Sequence, residues 1–132
     1  MNDYFYKLAI ESALIAGKHI QPLWIYSQWR HETANFLSSL CLETHNLAGL
    51  CQYMPNDYPQ PDGDLYYMCF SSYLECAQYF GRYLQLYEED GIFDAYTLYD
   101  YCKALKKGGY FGDTLENYYK GCVFYETPSF YV

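Results

Sequence analysis

The segment 54–64 restricts the fold of this chain more than any other stretch, because it excludes a helix from the middle of the sequence. It carries three prolines and an Asp62-Gly63 pair, and such residues break helices and favour tight turns. The residues on either side, 47–53 and 65–70, have the pattern of two strands. The sequence therefore predicts a β-hairpin lobe over about 46–70, placed between two groups of helices.

The rest of the chain is predicted to be helical, with recognisable start and stop signals. Ser72-x-x-Glu75 is a capping box, Gly108-Gly109 follows two lysines as a C-terminal cap, and Asp113-x-x-Glu116 starts the last helix. The predicted helices cover 3–18, 22–36, a short turn at 37–43, 72–87, 94–107 and the segment from Asp113, and the tail Thr127–Val132 is predicted to be irregular. We expect a mainly α (α+β) fold, with residues 1–132 forming a single domain.

Composition limits the classes of function. The formal net charge is −8 at pH 7 with only eight lysines and arginines, which argues against nucleic-acid binding, since that needs a basic surface. No apolar run approaches the roughly 18 residues of a membrane span. The N-terminus lacks the basic and apolar regions of a signal peptide. We therefore expect synthesis in the cytoplasm, no membrane insertion and no nucleic-acid partner.

Glu32 lies at a position where a carboxylate is unusual. Pro22 opens a predicted helix, and at helical spacing Ile25, Trp29, Glu32 and Phe36 share one face. Among apolar neighbours the anion of a carboxyl is poorly solvated, so its pKa rises, as a general acid working near neutral pH requires. The same position also fits a structural glutamate that is hydrogen-bonded to a nearby hydroxyl or amide.

Glu32 belongs to an ordered set of motifs that runs from Pro22 to Lys120. Its pieces are Pro22, Gln28, Glu32-Thr33, Ser39, Asn46-Leu47, Gly49-Leu50, Gly109-Tyr110 and the stretch from Asp113 to Tyr118. In this order they resemble the core of the N-acetylglucosaminidases of glycoside hydrolase family 73, which are bacterial and phage peptidoglycan hydrolases. The resemblance implies a lysozyme-like helical fold with a hairpin lobe, and it implies that Glu32 is the catalytic acid.

The chain departs from the family pattern in several places. Asn35-Phe36 stands where Trp-Gly usually follows the catalytic pair, His45 replaces the first Asn of an Asn-Asn pair, and Ala48 replaces a Phe. Phe111-Gly112 replaces Ala-Thr, and two residues are inserted before Tyr118. The chain is therefore similar to a divergent member of the family.

The resemblance also implies a second carboxylate, which in the family comes from the hairpin lobe. Glycoside hydrolysis needs a group that stabilises the oxocarbenium-like centre or activates water, in addition to the acid. Between Thr44 and Leu74 the acidic residues are Asp57, Asp62 and Asp64. Because Asp62-Gly63 is typical of a turn, Asp57 and Asp64 are the expected candidates.

Two tyrosines and two amides complete the expected site. By the resemblance, Tyr110 and Tyr118 line the groove near the acid as catalytic residues, whose phenols would orient the N-acetyl group or hold the attacking water. Helix-end packing explains these tyrosines equally well. Gln28 and Asn46 are expected to shape the site and to bind the substrate, and Asn46 lies at the junction between the two lobes.

The function expected from these residues is an endo-β-N-acetylglucosaminidase that cleaves the glycan strands of peptidoglycan. Without its own export signal, such an enzyme is expected to be a phage lysis protein or a virion component that acts on the cell wall. One alternative is a lytic transglycosylase, which also uses one Glu but lets a hydroxyl of the sugar attack. The other is a catalytically silent wall-binding or virion structural domain.

The spacing of the cysteines and histidines argues against a metal site. None of the six cysteines forms a CxxC pair, and the three histidines are scattered, whereas zinc ligands come in closely spaced pairs. No metal and no other cofactor is expected. Cys51 and Cys69 flank the predicted hairpin in positions that permit a disulfide, but free thiols are expected in a protein made in a reducing cytosol.

Overall fold

The computed structural model of the protein describes residues 3–17 and 19–126. Over these residues the chain is mainly helical and has one small antiparallel sheet, so the predicted fold class is confirmed. The elements in chain order are α1 (Asp3–Ala16), α2 (Pro22–Glu32), α3 (Ser39–Thr44), β1 (Cys51–Gln52), β2 (Tyr66–Tyr67), α4 (Tyr73–Leu84), two 3₁₀ helices (Gln85–Asp90 and Ile92–Asp94), α5 (Leu98–Lys107) and α6 (Leu115–Phe124). The predicted irregular tail, Thr127–Val132, lies outside the described residues.

Helix α2 is the central helix of the fold. Every residue from Trp24 to Arg30 is buried, with α1 packed on one side and α6 on another. Pro22 at its start fits the first turn, where a backbone N–H would have no partner within the helix. Because α2 is enclosed, its last residue, Glu32, is carried into the interior rather than onto an open surface.

The predicted helix 22–36 is too long, because the chain turns sharply after Glu32. Ala34, Asn35 and Phe36 have φ values of 50°, 60° and 66°, a left-handed conformation that costs roughly 1–2 kcal/mol per residue. The Thr33 hydroxyl stabilises this turn by accepting the Phe36 N–H at 2.7 Å and donating to the Trp29 carbonyl at 2.6 Å. Phe36 is itself buried. The helix therefore ends at the carboxyl-bearing residue.

The hairpin lobe exists, but its strands are much shorter than the predicted 47–53 and 65–70. Strands β1 and β2 have two residues each, in the register Cys51 opposite Tyr67 and Gln52 opposite Tyr66. Residues 46–50 are not extended, because they fold around the side chain of Asn46. A short pairing of Pro59 with Tyr66 continues the lobe.

The starts of the later helices follow local capping chemistry. At α4 the Ser72 hydroxyl accepts the Glu75 N–H at 3.1 Å, which confirms the predicted capping box. Helix α5 begins at Leu98 rather than 94, because the Thr97 hydroxyl caps it by accepting the Asp100 N–H. At α6 the cap is Thr114, one residue after the predicted Asp113. Each correction moves a boundary and leaves the helix in place.

The six cysteines are free thiols in the structure. Cys51 pairs with Tyr67 across the sheet, so it does not face Cys69 as the hairpin pattern permits. None of the helices within 3–17 and 19–126 has the length and apolar character that a membrane crossing requires.

The contact between α1 and α4 depends on the absence of a side chain at Gly81. A Cβ at this position would lie 2.6 Å from the Ser12 carbonyl oxygen and 2.8 Å from the Ile15 Cβ. The Ser12 hydroxyl also donates to the Ala77 carbonyl at 2.5 Å. The two helices therefore meet with their backbones close together.

We predict that Gly81→Ala lowers the free energy of unfolding by roughly 1–3 kcal/mol, because the added methyl group overpacks the helix contact. Urea unfolding followed by circular dichroism would measure the change. Gly63→Ala is the matched control, since a Cβ there meets only the Gln60 Oε1 at 3.8 Å. Equal stability of the two variants would contradict the close packing of α1 on α4.

Candidate active site

Glu32 lines a cleft between the helical part and the hairpin lobe, called here the acid cleft. The cleft has a volume of about 240 Å³. Glu32 and Leu40 line it from the helical part, Gln60 and Tyr67 line it from the hairpin lobe, and the rest of its wall comes from Ala48, Gly49 and the segment 110–112. The Glu32 side chain is partly exposed, so its carboxyl can meet a molecule that enters the cleft.

Tyr118 of α6 holds the Glu32 carboxyl. Its hydroxyl donates to Glu32 Oε1 at 2.6 Å. The Tyr118 ring stacks on the Phe111 ring with centroids 3.8 Å apart and an interplanar angle of 4°, and the His31 ring contacts it edge-on at 4.9 Å. These ring contacts fix the phenol, so one oxygen of the carboxyl is oriented by a buried donor.

Burial raises the pKa of Glu32 from its ordinary value of 4.5 to about 7, and the hydrogen bond from Tyr118 acts in the opposite direction. The cause is the poor solvation of a carboxylate among packed side chains. The position of Glu32 at the C-terminal end of α2 also disfavours an anion, because the helix dipole is negative there. Near neutral pH the carboxyl therefore exists in both protonation states, as proton donation and recovery require.

The loop 46–50 forms one wall of the acid cleft, and Asn46 shapes it. The Asn46 Nδ2 donates to the Leu50 and Met68 carbonyls at 2.9 Å and 3.0 Å. Its Oδ1 accepts the N–H groups of Ala48 and Leu50 at 3.2 Å and 3.1 Å. All donor and acceptor positions of this amide are then used within the protein. Asn46 is buried and has no capacity left for a substrate, which corrects its expected role to that of a positioning residue.

Gly49 brings the same loop close to the acid. Its φ of +65° is a left-handed conformation that glycine adopts without strain. A Cβ at this position would lie 3.2 Å from the second carboxyl oxygen, Glu32 Oε2. The glycine therefore leaves space beside the oxygen that Tyr118 does not engage.

Tyr110 supports the cleft but does not bind the acid. Its hydroxyl donates to the Ala48 carbonyl, and burial raises its pKa well above the ordinary value. The phenol therefore remains a donor that anchors the loop. Of the two expected tyrosines, Tyr118 contacts Glu32 and Tyr110 positions the wall.

Gln28 lies in the core and not in the substrate site. Its side chain is fully buried, and its Oε1 accepts the hydroxyl of Tyr101 at 2.5 Å. A side chain without exposed surface cannot contact a substrate, so the expected substrate-binding role is wrong for Gln28. Its contribution is to tie α2 to α5.

The expected second carboxylates lie away from the acid cleft. Asp57 and Asp64 are exposed, and neither lines the cavity. Among the acids of the hairpin lobe, Asp62 influences a residue of the cleft wall, Tyr67. The pKa of Tyr67 is raised by burial first, and then by the charges of Cys51, Glu32 and Asp62. Apart from Glu32, the described residues that line the cleft include no acidic group.

A second cavity extends the acid cleft along the hairpin lobe. Its volume is about 340 Å³, and it shares Gly49, Gln60, Tyr110 and Gly112 with the acid cleft. Glu32 lines only the first cavity, so the groove extends away from the acid on one side.

Gln60, Tyr67 and Phe111 line the cleft although the sequence analysis did not select them. For Gln60 a signal was present, because it lies between Pro59 and Pro61, which fix the backbone on both sides. Phe111 lies directly after the Gly109-Tyr110 motif, where the sequence shows it only as a departure from the family pattern. No motif distinguishes Tyr67 from the many other aromatic residues of the chain. Within the described residues, no three His, Cys, Asp or Glu side chains come together in the arrangement of a metal site.

Comparison of the chain with protein-family models, curated proteins and solved structures gives no match in any of the three. The geometry of the acid cleft and the order of the sequence motifs are therefore the observations that indicate a function.

We predict that the stability of the protein falls as pH rises from about 4.5 to about 7, by an amount that Glu32→Gln removes. Between these values the unfolded chain has released the Glu32 proton while the folded chain still holds it, so stability decreases with rising pH and the loss is complete above 7. A pKa raised from 4.5 to about 7 corresponds to a total difference of about 3 kcal/mol, since one pKa unit is worth about 1.4 kcal/mol.

Urea unfolding at a series of pH values would measure this difference, with Glu89→Gln, an exposed glutamate of the first 3₁₀ helix, as the control. Glu32→Gln should be more stable than the wild type at pH 8 and equal to it at pH 4.5. Parallel pH curves for the wild type and Glu32→Gln would show that the carboxyl is not desolvated.

We predict that Tyr118→Phe raises the pKa of Glu32 by roughly one unit. The phenol stabilises the carboxylate by donating a hydrogen bond to it, and a bond to a charged group contributes about 1.5–3 kcal/mol. Carbon-13 NMR titration of the glutamate carboxyls would measure the shift. Tyr119→Phe, on the same helix, should leave this titration unchanged, and an unchanged titration in Tyr118→Phe would argue against the hydrogen bond.

Proposed function

We propose that this protein is a peptidoglycan hydrolase that cleaves glycan strands as an endo-β-N-acetylglucosaminidase, with Glu32 as the general acid. The observation that carries the proposal is the position of the Glu32 carboxyl, which lines a cleft between two lobes and accepts the hydroxyl of Tyr118. Burial at this position raises the pKa of Glu32 to about 7. An acid with a pKa near the working pH combines the correct protonation state with a sufficient driving force for proton transfer. The ordered motifs from Pro22 to Tyr118 support the same reaction class.

In this proposal Glu32 protonates the glycosidic oxygen while the bond to the anomeric carbon breaks. Tyr118 engages Oε1, so the proton is best donated from Oε2, beside which Gly49 leaves room for the substrate. As the carboxylate forms, the phenol of Tyr118 stabilises it and the surrounding apolar groups favour its reprotonation. Tyr118 is thus a positioning residue for the acid.

The absence of a second acidic group among the described residues that line the cleft favours a mechanism with one carboxylate. This observation makes a lytic transglycosylase the second candidate function, because a hydroxyl of the sugar then replaces water and the product is an anhydro sugar.

The proposed partner is the glycan of the cell wall, and no cofactor is proposed. A phage lysis protein or a virion component is the biological setting that we propose, because the ordered motifs resemble those of bacterial and phage peptidoglycan hydrolases. A catalytically silent wall-binding or virion domain would keep the same cleft but would have no need of an acid with a raised pKa.

We predict that Glu32→Gln lowers the rate of peptidoglycan cleavage by at least about 10²-fold, because the amide keeps the shape of the side chain but cannot act as the acid. The rate would be measured as the release of soluble fragments from purified sacculi. Glu89→Gln is again the control and should cleave at the wild-type rate.

Mass spectrometry of the wild-type products separates the candidate functions. Reducing N-acetylglucosamine ends indicate the hydrolase, anhydro-muramic ends indicate the transglycosylase, and a lack of products indicates a silent domain. Near-normal cleavage by Glu32→Gln would exclude Glu32 as the acid.

A further inference from the structure

Gln60 has an unusual position in the groove. It is one of four residues that line both the acid cleft and the second cavity, and among these four it is the only one with a side-chain amide. The hairpin lobe contributes it to a groove whose acid comes from the helical part. A molecule that reaches Glu32 through the groove therefore passes the Gln60 side chain.

The backbone around Gln60 is held in place. Pro59 and Pro61 fix the chain on both sides, and the Gln60 N–H donates to the Leu65 carbonyl at 3.0 Å. The Tyr67 N–H donates to the Tyr58 carbonyl at 2.8 Å. A backbone that is already fixed reduces the conformational entropy that this loop loses when a ligand binds.

Tyr67 is the second polar group on the same wall. It lies on β2, lines the acid cleft and is partly buried. Among the described residues, neither the Gln60 amide nor the Tyr67 hydroxyl forms a side-chain hydrogen bond with the protein. In contrast, Asn46 and Tyr110 use their polar groups within the fold. The wall that faces the acid therefore offers an amide and a phenol to a ligand.

We propose that Gln60 and Tyr67 form a subsite for the acetamido group of a 2-acetamido sugar. The inference rests on the proposed glycan-cleaving function and names the group by which the substrate is recognised. A carboxamide complements an acetamido group, because it accepts from the acetamido N–H and donates to the acetamido carbonyl. The Tyr67 hydroxyl supplies a second donor to the same carbonyl.

Recognition through this subsite discriminates against sugars that lack the acetyl group. A site built to form hydrogen bonds rejects an analogue without the matching groups, because its own polar groups then remain unpaired. The free amine of a deacetylated sugar is also a cation. Placed near Glu32, it would favour the carboxylate and so reduce the fraction of the acid that is protonated.

Binding to a catalytically inactive protein tests the subsite separately from the reaction. Glu32→Gln protein would be titrated with tetra-N-acetylchitotetraose and with its fully deacetylated counterpart, and the Kd would be measured by isothermal titration calorimetry. We expect the acetylated oligosaccharide to bind at least about tenfold more tightly. Adding Gln60→Met, which keeps the length of the side chain, should weaken binding of the acetylated form by about tenfold and abolish the preference.

Gln52→Met in the same background is the matched control, because Gln52 lies on β1 of the same lobe and lines neither cavity. It should bind like the parent protein, and Tyr67→Phe should weaken binding of the acetylated form by a smaller factor. Melting temperatures of the variants would confirm that the lobe stays folded.

Two results would overturn the inference, and they differ in what they say about the function. If the Gln60→Met protein binds the acetylated oligosaccharide as tightly as its parent and keeps the preference, the subsite is wrong while the glycan-cleaving function stands. If the parent protein binds neither the oligosaccharides nor purified peptidoglycan, the proposed function and the subsite both fail.

Discussion

The hydrogen bond between Tyr118 and Glu32 joins the parts of the structure on which the site depends. It connects the last residue of α2 with a helix that lies 86 residues further along the chain. Because the phenol is held by stacking on Phe111, the carboxyl has a fixed orientation inside a poorly solvated cleft. Burial then raises its pKa to about 7. The same contact therefore positions the acid and moderates the effect of its burial.

On the other side of the cleft, Asn46 fixes the position of the wall. A single buried amide forms four hydrogen bonds to backbone groups. One of these bonds reaches Met68, the residue that follows β2. A fully satisfied polar network of this kind is rigid, because any rearrangement would leave a buried polar group without a partner. The cleft wall is therefore fixed by neutral groups, and Glu32 is its only described acidic residue.

Several local features around the site lower the stability of the folded state. Three consecutive left-handed residues follow α2, the Gln28 Nε2 is buried without a partner among the described residues, and the Glu32 carboxyl is poorly solvated. Such costs concentrate where function competes with stability. At Glu32 stability and proton donation oppose each other, because replacing the carboxyl with an amide removes the desolvation cost together with the acid.

The sequence alone determined that this protein is mainly helical and that a hairpin lobe interrupts its helices, since capping residues and prolines act over a few neighbours. The length of the strands was not determined, because residues 46–50 fold around Asn46 instead of extending. It also singled out Glu32, because a carboxylate within an apolar helical face is visible in the residue spacing. It did not determine where α2 ends, because the turn at 34–36 depends on the burial of Phe36 and on the bonds of the Thr33 hydroxyl. Gln28 and Asn46 could not be assigned from the sequence, as their partners lie 73 and 22 residues away. Only the tertiary structure decided that Tyr118 holds the acid, that Tyr110 holds the wall and that Gln60 faces the groove, because each of these roles depends on a contact between distant segments.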